Sequence, residues 1–535
     1  MIGRRFGLDL LGAILPEGPA VATQGLVRLT ESGLVYADPA SQGECEFMHA
    51  LMQLAAYESM LKRDRNEMHA RVATSIDNVF PDLAERQPAL VARHLTEAQQ
   101  WGPAAARWLL AGGRSLTRSA NLEAVAQLRE GLALLVHLPP GEAEPLELAL
   151  LSTIGPALIA TQGFGSAAVG ETYARARELC ESMGSRPDIF PSMWGTWVVD
   201  LVRGKLRSAR QHARHMLDMA QAANSDAMLV EAWWTLGDSY FWLGDLPQAQ
   251  RCLEEACAIY DVQRHGVNAL MYGQDPGVAA ECYRAYCLWL QGWPDQSNAA
   301  LKRARALAEQ RNHLFSTAWA LAFEHALHAS RREPQAALAA ADRTLAFCTE
   351  HGTPFWIAAA QVVRGWAATL LGDVEPGLAQ LRQGLALYNA IGSLVMQPVL
   401  QALLADALMA AGRDAEAAEV IESGLALAQQ TEERIGETEL HLARGDLARR
   451  QHPEDTGAAE AAYQQALAMA RDCGAASLAL RAATRLHPLM ALAGRSDSSP
   501  LPGLFAAFTE GHDTPDWQAA EAALAALPVT SPVAQ

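Results

Sequence analysis

No apolar run in the 535-residue chain approaches the roughly 18 residues of a membrane span, so the sequence predicts no transmembrane segment. Runs of β-branched residues are scarce, which argues against an extensive sheet. Basic residues are outnumbered, 42 Lys and Arg against 60 Asp and Glu. The resulting net charge of −18 would repel a phosphate backbone, so nucleic acid is not an expected partner. The eight cysteines, at 45, 180, 252, 257, 282, 287, 348 and 473, are scattered through a chain large enough to bury its own core. They predict reduced thiols and a cytoplasmic setting, not a disulfide framework. No G-x-x-x-x-G-K-[ST] loop is present to cradle phosphates, so ATP binding is not expected. The N-terminus imitates a secretory signal, with Arg4, Arg5 and an apolar stretch, but Asp9 within that stretch and Pro16-Glu17 after it break the pattern.

What the chain does have is Ala and Leu in abundance, and half of its residues are apolar, which suits helices. The segment WWTLGDSYFWLGDLPQAQRCLEEACAIYD shows how they are organised. Counting Trp233 as position 4 of a tetratricopeptide unit places Leu236 at 7, Gly237 at 8, Tyr240 at 11, Gly244 at 15, Ala249 at 20, Leu253 at 24 and Ala256 at 27. Small residues at 8, 20 and 27 let two antiparallel helices touch, and large ones at 4, 7, 11 and 24 fill the space between neighbouring pairs. The interhelix turn recurs at Gly204, Gly244, Gly292, Arg332, Gly372, Gly412 and His452, in steps of 40, 48, 40, 40, 40 and 40 residues. Gly163 and Asn121 extend the beat backwards. The period exceeds the usual tetratricopeptide length of about 34. The prediction is an all-α, tetratricopeptide-like α-solenoid, a superhelix of antiparallel helix pairs with longer helices. The extra residues of the second step fall in HGVNALMYGQDPGV, read as a loop. If each pair touches only its neighbours, a cut at 273–277 should leave two fragments that keep helical signal.

The first 64 residues look different. A helix-like stretch carries Phe6, Leu8, Leu10, Leu11 and Ile14, a second helix ends at Gly33, and short β-like runs at 34–37 and 44–48 flank the turn DPASQG before another helix. This pattern suggests a small winged helix. The expected domains are 1–64, winged-helix-like; 65–490, helical repeats of about 40 residues; and 491–535, a flexible linker RSDSSPLPG, a capping helix and a disordered tail ALPVTSPVAQ.

The segments MIGRRFGLDLLGAILP, FMHALMQLAAYESML, EMHARVATSI, QPALVARHLTEA, ALIATQGFGS and FTEGHDTPDWQAAEAAL, in that order, resemble the C-terminal half of bacterial multidomain signalling ATPases. In that family a class III adenylate/guanylate cyclase domain is followed by a STAND-type, AAA-like ATPase, a winged helix and a tetratricopeptide-like solenoid. The solenoid also resembles, more loosely, the sensor region of the bacterial maltose-regulon activator. The resemblance implies that Met1 stands where the family has the middle of a chain, after the ATPase core. With no phosphate loop in this sequence, neither nucleotide activity carries over. The implied role is the non-catalytic sensor or scaffold half of an ATPase/cyclase signalling system, binding a protein partner or a small-molecule ligand. Two other readings stay open: part of an active cyclase or ATPase whose catalytic domains are encoded upstream, and a ligand-responsive transcription regulator.

No catalytic, cofactor or metal site is predicted. GFGSAAVG misplaces the third glycine of a dinucleotide loop and falls on the repeat beat, which reads as an interhelix turn. Cys252/Cys257 and Cys282/Cys287 are five apart, about 140° around a helix, and read as packing residues. His212/His215 and His325/His328 have no third ligand at a fixed spacing and read as solvated helix surface. His49, His69 and His94 read as packing or capping residues.

The candidate binding residues come from the repeat register. Positions 2, 5, 9, 12 and 13 of a first helix face the concave side. They hold Trp194 at 5; Glu231 at 2, Trp234 at 5, Asp238 at 9, and Phe241 and Trp242 at 12 and 13; Tyr286 and Trp289 at 9 and 12; Trp319 at 2; and Trp366 at 9. The rings either line a ligand groove, with Asp238 and Glu231 favouring a ligand that carries donors or positive charge, or turn into the core.

Overall fold

The structure, a computed structural model, describes residues 4–15, 17–37, 44–183 and 189–526. The turn DPASQG and residues 527–535 of the expected tail lie outside the described residues. The chain divides into two compact units, Met1–Ala157 and Leu158–Gln535, a boundary that the repeat beat does not mark.

In the first unit three short antiparallel strands form a sheet in which Glu44–Phe47 lies between Arg5–Gly7 and Val35–Ala37. Arg5–Gly7 corrects the reading of that segment as helix: Phe6 pairs opposite Cys45, and the helix begins only at Leu8. One face of the sheet buries Val35 and Cys45 against Leu26, with Phe6, Leu8 and Phe47 alongside. The helices Lys62–Val79, Pro88–Glu97 and Trp101–Thr117 supply a second core around Val72, Ile76, Val91 and Trp108. His69 and His94 pack within it, their Nδ1 atoms 2.8 Å apart. Burial lowers both imidazoles, His94 to about 4. Pro140–Gln162 corrects the expectation about membrane-length segments: it is long and apolar enough to cross a bilayer by length and composition, and half of that stretch is buried.

The second unit is built from helix pairs. The first helices of the pairs are Phe190–Val202, Asp226–Trp242, Pro276–Leu290, Leu314–Ser330, Pro354–Leu370, Gln397–Ala410, Arg434–Gln451 and Ala476–Leu492. Nearly every residue of Pro276–Leu290 is buried, whereas second helices such as Pro294–Arg311 bury one face and leave the other in water. The first helices therefore form the inner layer. The turns fall on the repeat beat. Gly163, Gly204, Gly244, Gly292, Gly372 and Gly412 all have φ between 71° and 102°, the left-handed region in which glycine escapes the Cβ clash, and Arg332 adopts φ 62°. The segment GFGSAAVG is such a turn, between Pro140–Gln162 and Ala167–Met183. At the earlier end of the array the left-handed residue is Ser119, not Asn121, which opens a helix. His452 ends Arg434–Gln451 with φ −133°. Small side chains recur at the helix contacts five residues past each turn, where Ala209, Ala249, Ser297, Ala337 and Ala417 are fully buried.

Two expectations are overturned. The inserted segment is not an open loop: it forms two short helices, Val262–His265 and Asn268–Tyr272, and Asp275 then caps the next helix by accepting from the amides of Gly277 and Val278. Nor do the pairs touch only their neighbours. Leu394 N donates to Val202 O, Ser477 Oγ to Trp289 O and Arg481 Nη2 to Ser330 O. The Gly204 turn lies against Thr431 and the Gly244 turn against Arg434 and Cys473. The superhelix thus closes on itself within one turn, and the ends of early inner helices rest on the starts of late ones. The C-terminal helix Pro515–Ala526 seals this end, with Ala520 packed on Leu480, Ala483 and Leu501, and with Asp516 gripping the buried Arg481 by three hydrogen bonds. The linker expected at RSDSSPLPG, 495–503, instead contains a short 3-10 turn, Ser496–Ser498, and the start of the helix Leu501–Ala506.

Candidate functional site: an aromatic chamber inside the superhelix

Closure turns the expected groove into a chamber. Because successive inner helices lie side by side around one axis, the side chains that would have faced an open concavity meet across it. The chamber has a volume of about 100 Å³ and is walled by residues from Phe164 to Glu439. Its rings form a continuous edge-to-face mesh: Trp197 to Trp234 at 5.2 Å, Trp234 to Trp319 at 6.1 Å, Trp319 to Trp356 at 5.2 Å and Phe241 to Tyr283 at 5.4 Å between centroids. Such pairs place ring edges on ring faces and hold each other's rotamers. Phe323, Ala326, Met396 and Val399 are the wall residues that keep partial exposure, so the chamber meets solvent on their side.

All ten candidates chosen from the register are buried, so none of them stands on a solvated groove. Seven come together on the chamber wall: Trp194, Trp234, Asp238, Phe241, Trp242, Tyr286 and Trp319. The other three do not line it. Glu231 accepts the Trp234 indole N–H at 2.6 Å, Trp289 donates to Ser330 Oγ at 2.9 Å, and Trp366 donates to Asp406 at 2.7 Å. Trp289 and Trp366 thereby tie neighbouring inner helices together, whereas Glu231 and Trp234 share one helix.

The polar groups of the wall are few and poorly matched by the protein. Asp238 is 1% exposed; Tyr283 and Trp242 lie within hydrogen-bonding reach, yet its Oδ1 has no partner. Burial pushes its carboxyl up to about 8, so at neutral pH it is mostly the uncharged acid. Glu231 is likewise raised by burial. His325, read from sequence as solvated surface, is also 1% exposed; burial lowers it to about 3, and neither ring nitrogen has a partner. The indole nitrogens of Trp194, Trp319 and Trp356 are also unpartnered. Buried polar groups are rarely left so, because each unmade hydrogen bond costs about 1–3 kcal/mol. Glu439, by contrast, is answered by Arg332 at 3.4 Å.

No family model matches the chain. An uncharacterized protein of Rhizobium meliloti (strain 1021) is 26% identical over 499 residues, covering 92% of this chain and 48% of the relative. The chain thus spans about half the length of the curated relative it matches. Among solved structures, a Rap protein complexed with competence and sporulation factor superposes with a TM-score of 0.54 at 11% identity, over 70% of this chain and 99% of that one. That likeness shows the fold, a tetratricopeptide-like helical solenoid. A STAND protein with a tetratricopeptide repeat sensor from Pyrococcus horikoshii reaches a TM-score of 0.33 at 14% identity, over 68% of this chain and 55% of that one, a level that decides nothing.

Sequence reasoning missed Phe164, Trp197, Tyr283, Phe323, His325, Phe355, Trp356 and Tyr388 on the wall. Two of them had a signal. Position 8 of the repeat is Gly237, Ala285, Gly365, Ala405 and Gly445 in five units but Trp197 and His325 in two others. A bulky residue where the pattern demands a small one marks a place where the packing rule gives way. Of the paired cysteines, Cys252, Cys282 and Cys287 are buried and Cys257 is partly so, and burial raises all four thiols. His212 is half-buried, with Nε2 3.3 Å from Asp200.

Proposed function

We propose that the chain is a non-catalytic sensor module that captures a small ligand in the aromatic chamber and reports its presence through the closure of the superhelix. The observation that carries this reading is the set of unpartnered polar atoms, on Asp238 and His325 above all, within a wall otherwise made of aromatic rings. Ligand sites are mostly apolar concavities with a few convergent polar groups, and the chamber has that composition. Late and early repeats meet around the chamber, so a ligand that spans its walls stabilises the closed ring more than an opened one. The resemblance to cyclase–STAND fusion proteins and the double length of the bacterial relative support placing this module within a larger cytoplasmic signalling ATPase/cyclase system. A second reading, that it is the regulatory half of an active cyclase or ATPase, draws on the same extra length and is tested by looking for an in-frame phosphate loop upstream of Met1. DNA binding by the N-terminal sheet and helices is disfavoured by the net charge of −18.

The test is a thermal-shift and tryptophan-fluorescence screen of the full chain against a panel of small neutral, cationic and anionic compounds. A hit should raise the melting temperature and change tryptophan emission saturably, and Trp319→Phe should weaken it. If no compound of any class gives a saturable change, the chamber is a packed core and the sensor reading fails.

A further inference from the structure

The charge inventory of the chamber is lopsided. Its ionisable wall residues are Asp238, Tyr283, Tyr286, His325, Tyr388 and Glu439, and no Lys or Arg lines it. Glu439 already has Arg332 as its counter-ion. Asp238 has none: the titratable groups facing it are Tyr283 and Cys287 from the neighbouring inner helix, and His325 shares the wall, none of them cationic at neutral pH. Aromatic rings share the wall with it, with Phe241 against Tyr283, Tyr283 6.4 Å from Trp319, and Trp319 6.1 Å from Trp234.

Each ligand class fares differently in this setting. An anion would find two carboxyls and no positive partner. A sugar needs many donors and acceptors, and this wall offers few. A neutral apolar molecule would fit but would leave Asp238 Oδ1 unsatisfied in its buried place. A peptide is too large for about 100 Å³, which is less than the ~150 Å³ of a cavity that holds benzene. A compact cation meets both features at once: the carboxylate supplies the missing charge, and indole and phenol faces attract a cation through their quadrupoles by roughly 2 kcal/mol or more where water is excluded.

We propose that the chamber binds a compact organic monocation smaller than benzene, an alkylammonium of isopropylammonium size, with its nitrogen beside the Asp238 carboxylate and its alkyl groups against the rings of Trp234, Phe241, Tyr283 and Trp319. This rests on the chamber being the binding site. It carries a signature that a simple apolar pocket lacks. Asp238 holds its proton in the free protein at pH 7 and gives it up to solvent when the cation arrives, so binding releases close to one proton and strengthens as pH rises toward 8.

The experiment is calorimetry of the full chain with dimethylammonium, isopropylammonium and propan-2-ol, the uncharged isostere of the latter, at pH 6.5, 7.25 and 8.0 and in two buffers of different ionisation enthalpy. The expected result is saturable binding of both cations, at least tenfold weaker binding of the alcohol, and buffer-dependent heat corresponding to proton release. Asp238→Asn should erase both the proton release and the preference for cations. If that variant does not fold, Trp319→Phe, which keeps a ring but weakens the attraction, should reduce cation affinity several-fold more than it reduces affinity for the alcohol. Equal or tighter binding of the alcohol, or cation binding without proton release, overturns the monocation assignment and leaves the sensor reading standing. No binding of these three probes, with saturable binding of other compounds in the panel, has the same meaning. Silence toward every class removes both.

Discussion

Individual side chains of the chamber are packed and hydrogen-bonded to one another. Trp234 is buried to 1% exposure, and its indole N–H is the donor that Glu231 Oε2 receives. Trp242 donates to the Tyr283 hydroxyl at 3.3 Å. Replacing either Trp by Ala should therefore cost about 3–5 kcal/mol in urea unfolding, the range for deleting a large buried ring. A loss below about 1 kcal/mol would mean that the ring is not packed as described. The ionisable residues make a second, pH-dependent expectation. Asp238 and Glu433 are raised by burial to about 8, so between pH 4 and 8 the folded chain holds protons that the unfolded chain has lost. Their contribution is intact below the unfolded carboxyl range and is lost as pH rises through 8. His313, His325 and His441, lowered by burial to between about 3 and 4, act oppositely and lose stability as pH falls below 6.5. Above pH 6.5 only the carboxyl effect remains, so stability should fall from pH 6.5 to 8, by up to about 1.4 kcal/mol per pH unit for each group. Asp238→Asn should flatten that slope by its share, measured as the unfolding free energy at each pH; an unchanged slope would show that Asp238 is not the group titrating.

The helices were the most legible level, and their glycines show what kind of information the sequence holds. Gly412 sits at φ 73° with open space where a Cβ would go, so Gly412→Ala should cost only the left-handed strain, about 1–2 kcal/mol. Gly365 has ordinary helical neighbours in sequence, but a Cβ there would lie 2.5 Å from Gly377 O and Leu381 N in the partner helix. Gly365→Ala must push two backbones apart and should cost more than Gly412→Ala, up to about 3 kcal/mol, in the same unfolding assay. Both positions belong to the 40-residue beat that was readable beforehand, because turn chemistry and close helix contact each demand a residue type. The strand Arg5–Gly7 was not readable. Three residues cannot show a period, and only pairing with Glu44–Phe47 gives them extended partners. The short helices of the inserted segment escaped for a similar reason: Val262–His265 and Asn268–Tyr272 hold too few residues to display a helical face.

At the scale of the whole second unit, closure replaces the independence of a linear repeat array. The hydrogen bonds from Arg481 to Ser330 O, from Ser477 to Trp289 O and from Leu394 to Val202 O all join residues more than 150 positions apart. A cut at 273–277 should therefore yield fragments that co-elute and melt in one transition. Two separately folded, non-associating pieces, as a nearest-neighbour solenoid would give, would show that closure adds no stability. Arg481 belongs to the same seam, held by Asp516 from the C-terminal helix. What the sequence alone determined is the local grammar: a helix-rich composition, the 40-residue beat and the turn residues, since each depends on side chains within one or two helical turns of each other. The tertiary structure decided how tightly the superhelix winds. That depends on small crossing angles summed over many pairs, and no single residue encodes it. Winding to closure made Asp238 a neutral buried acid, set His325 beside the rings and turned a groove into a chamber, because only then do inner faces from distant repeats exclude water from one another.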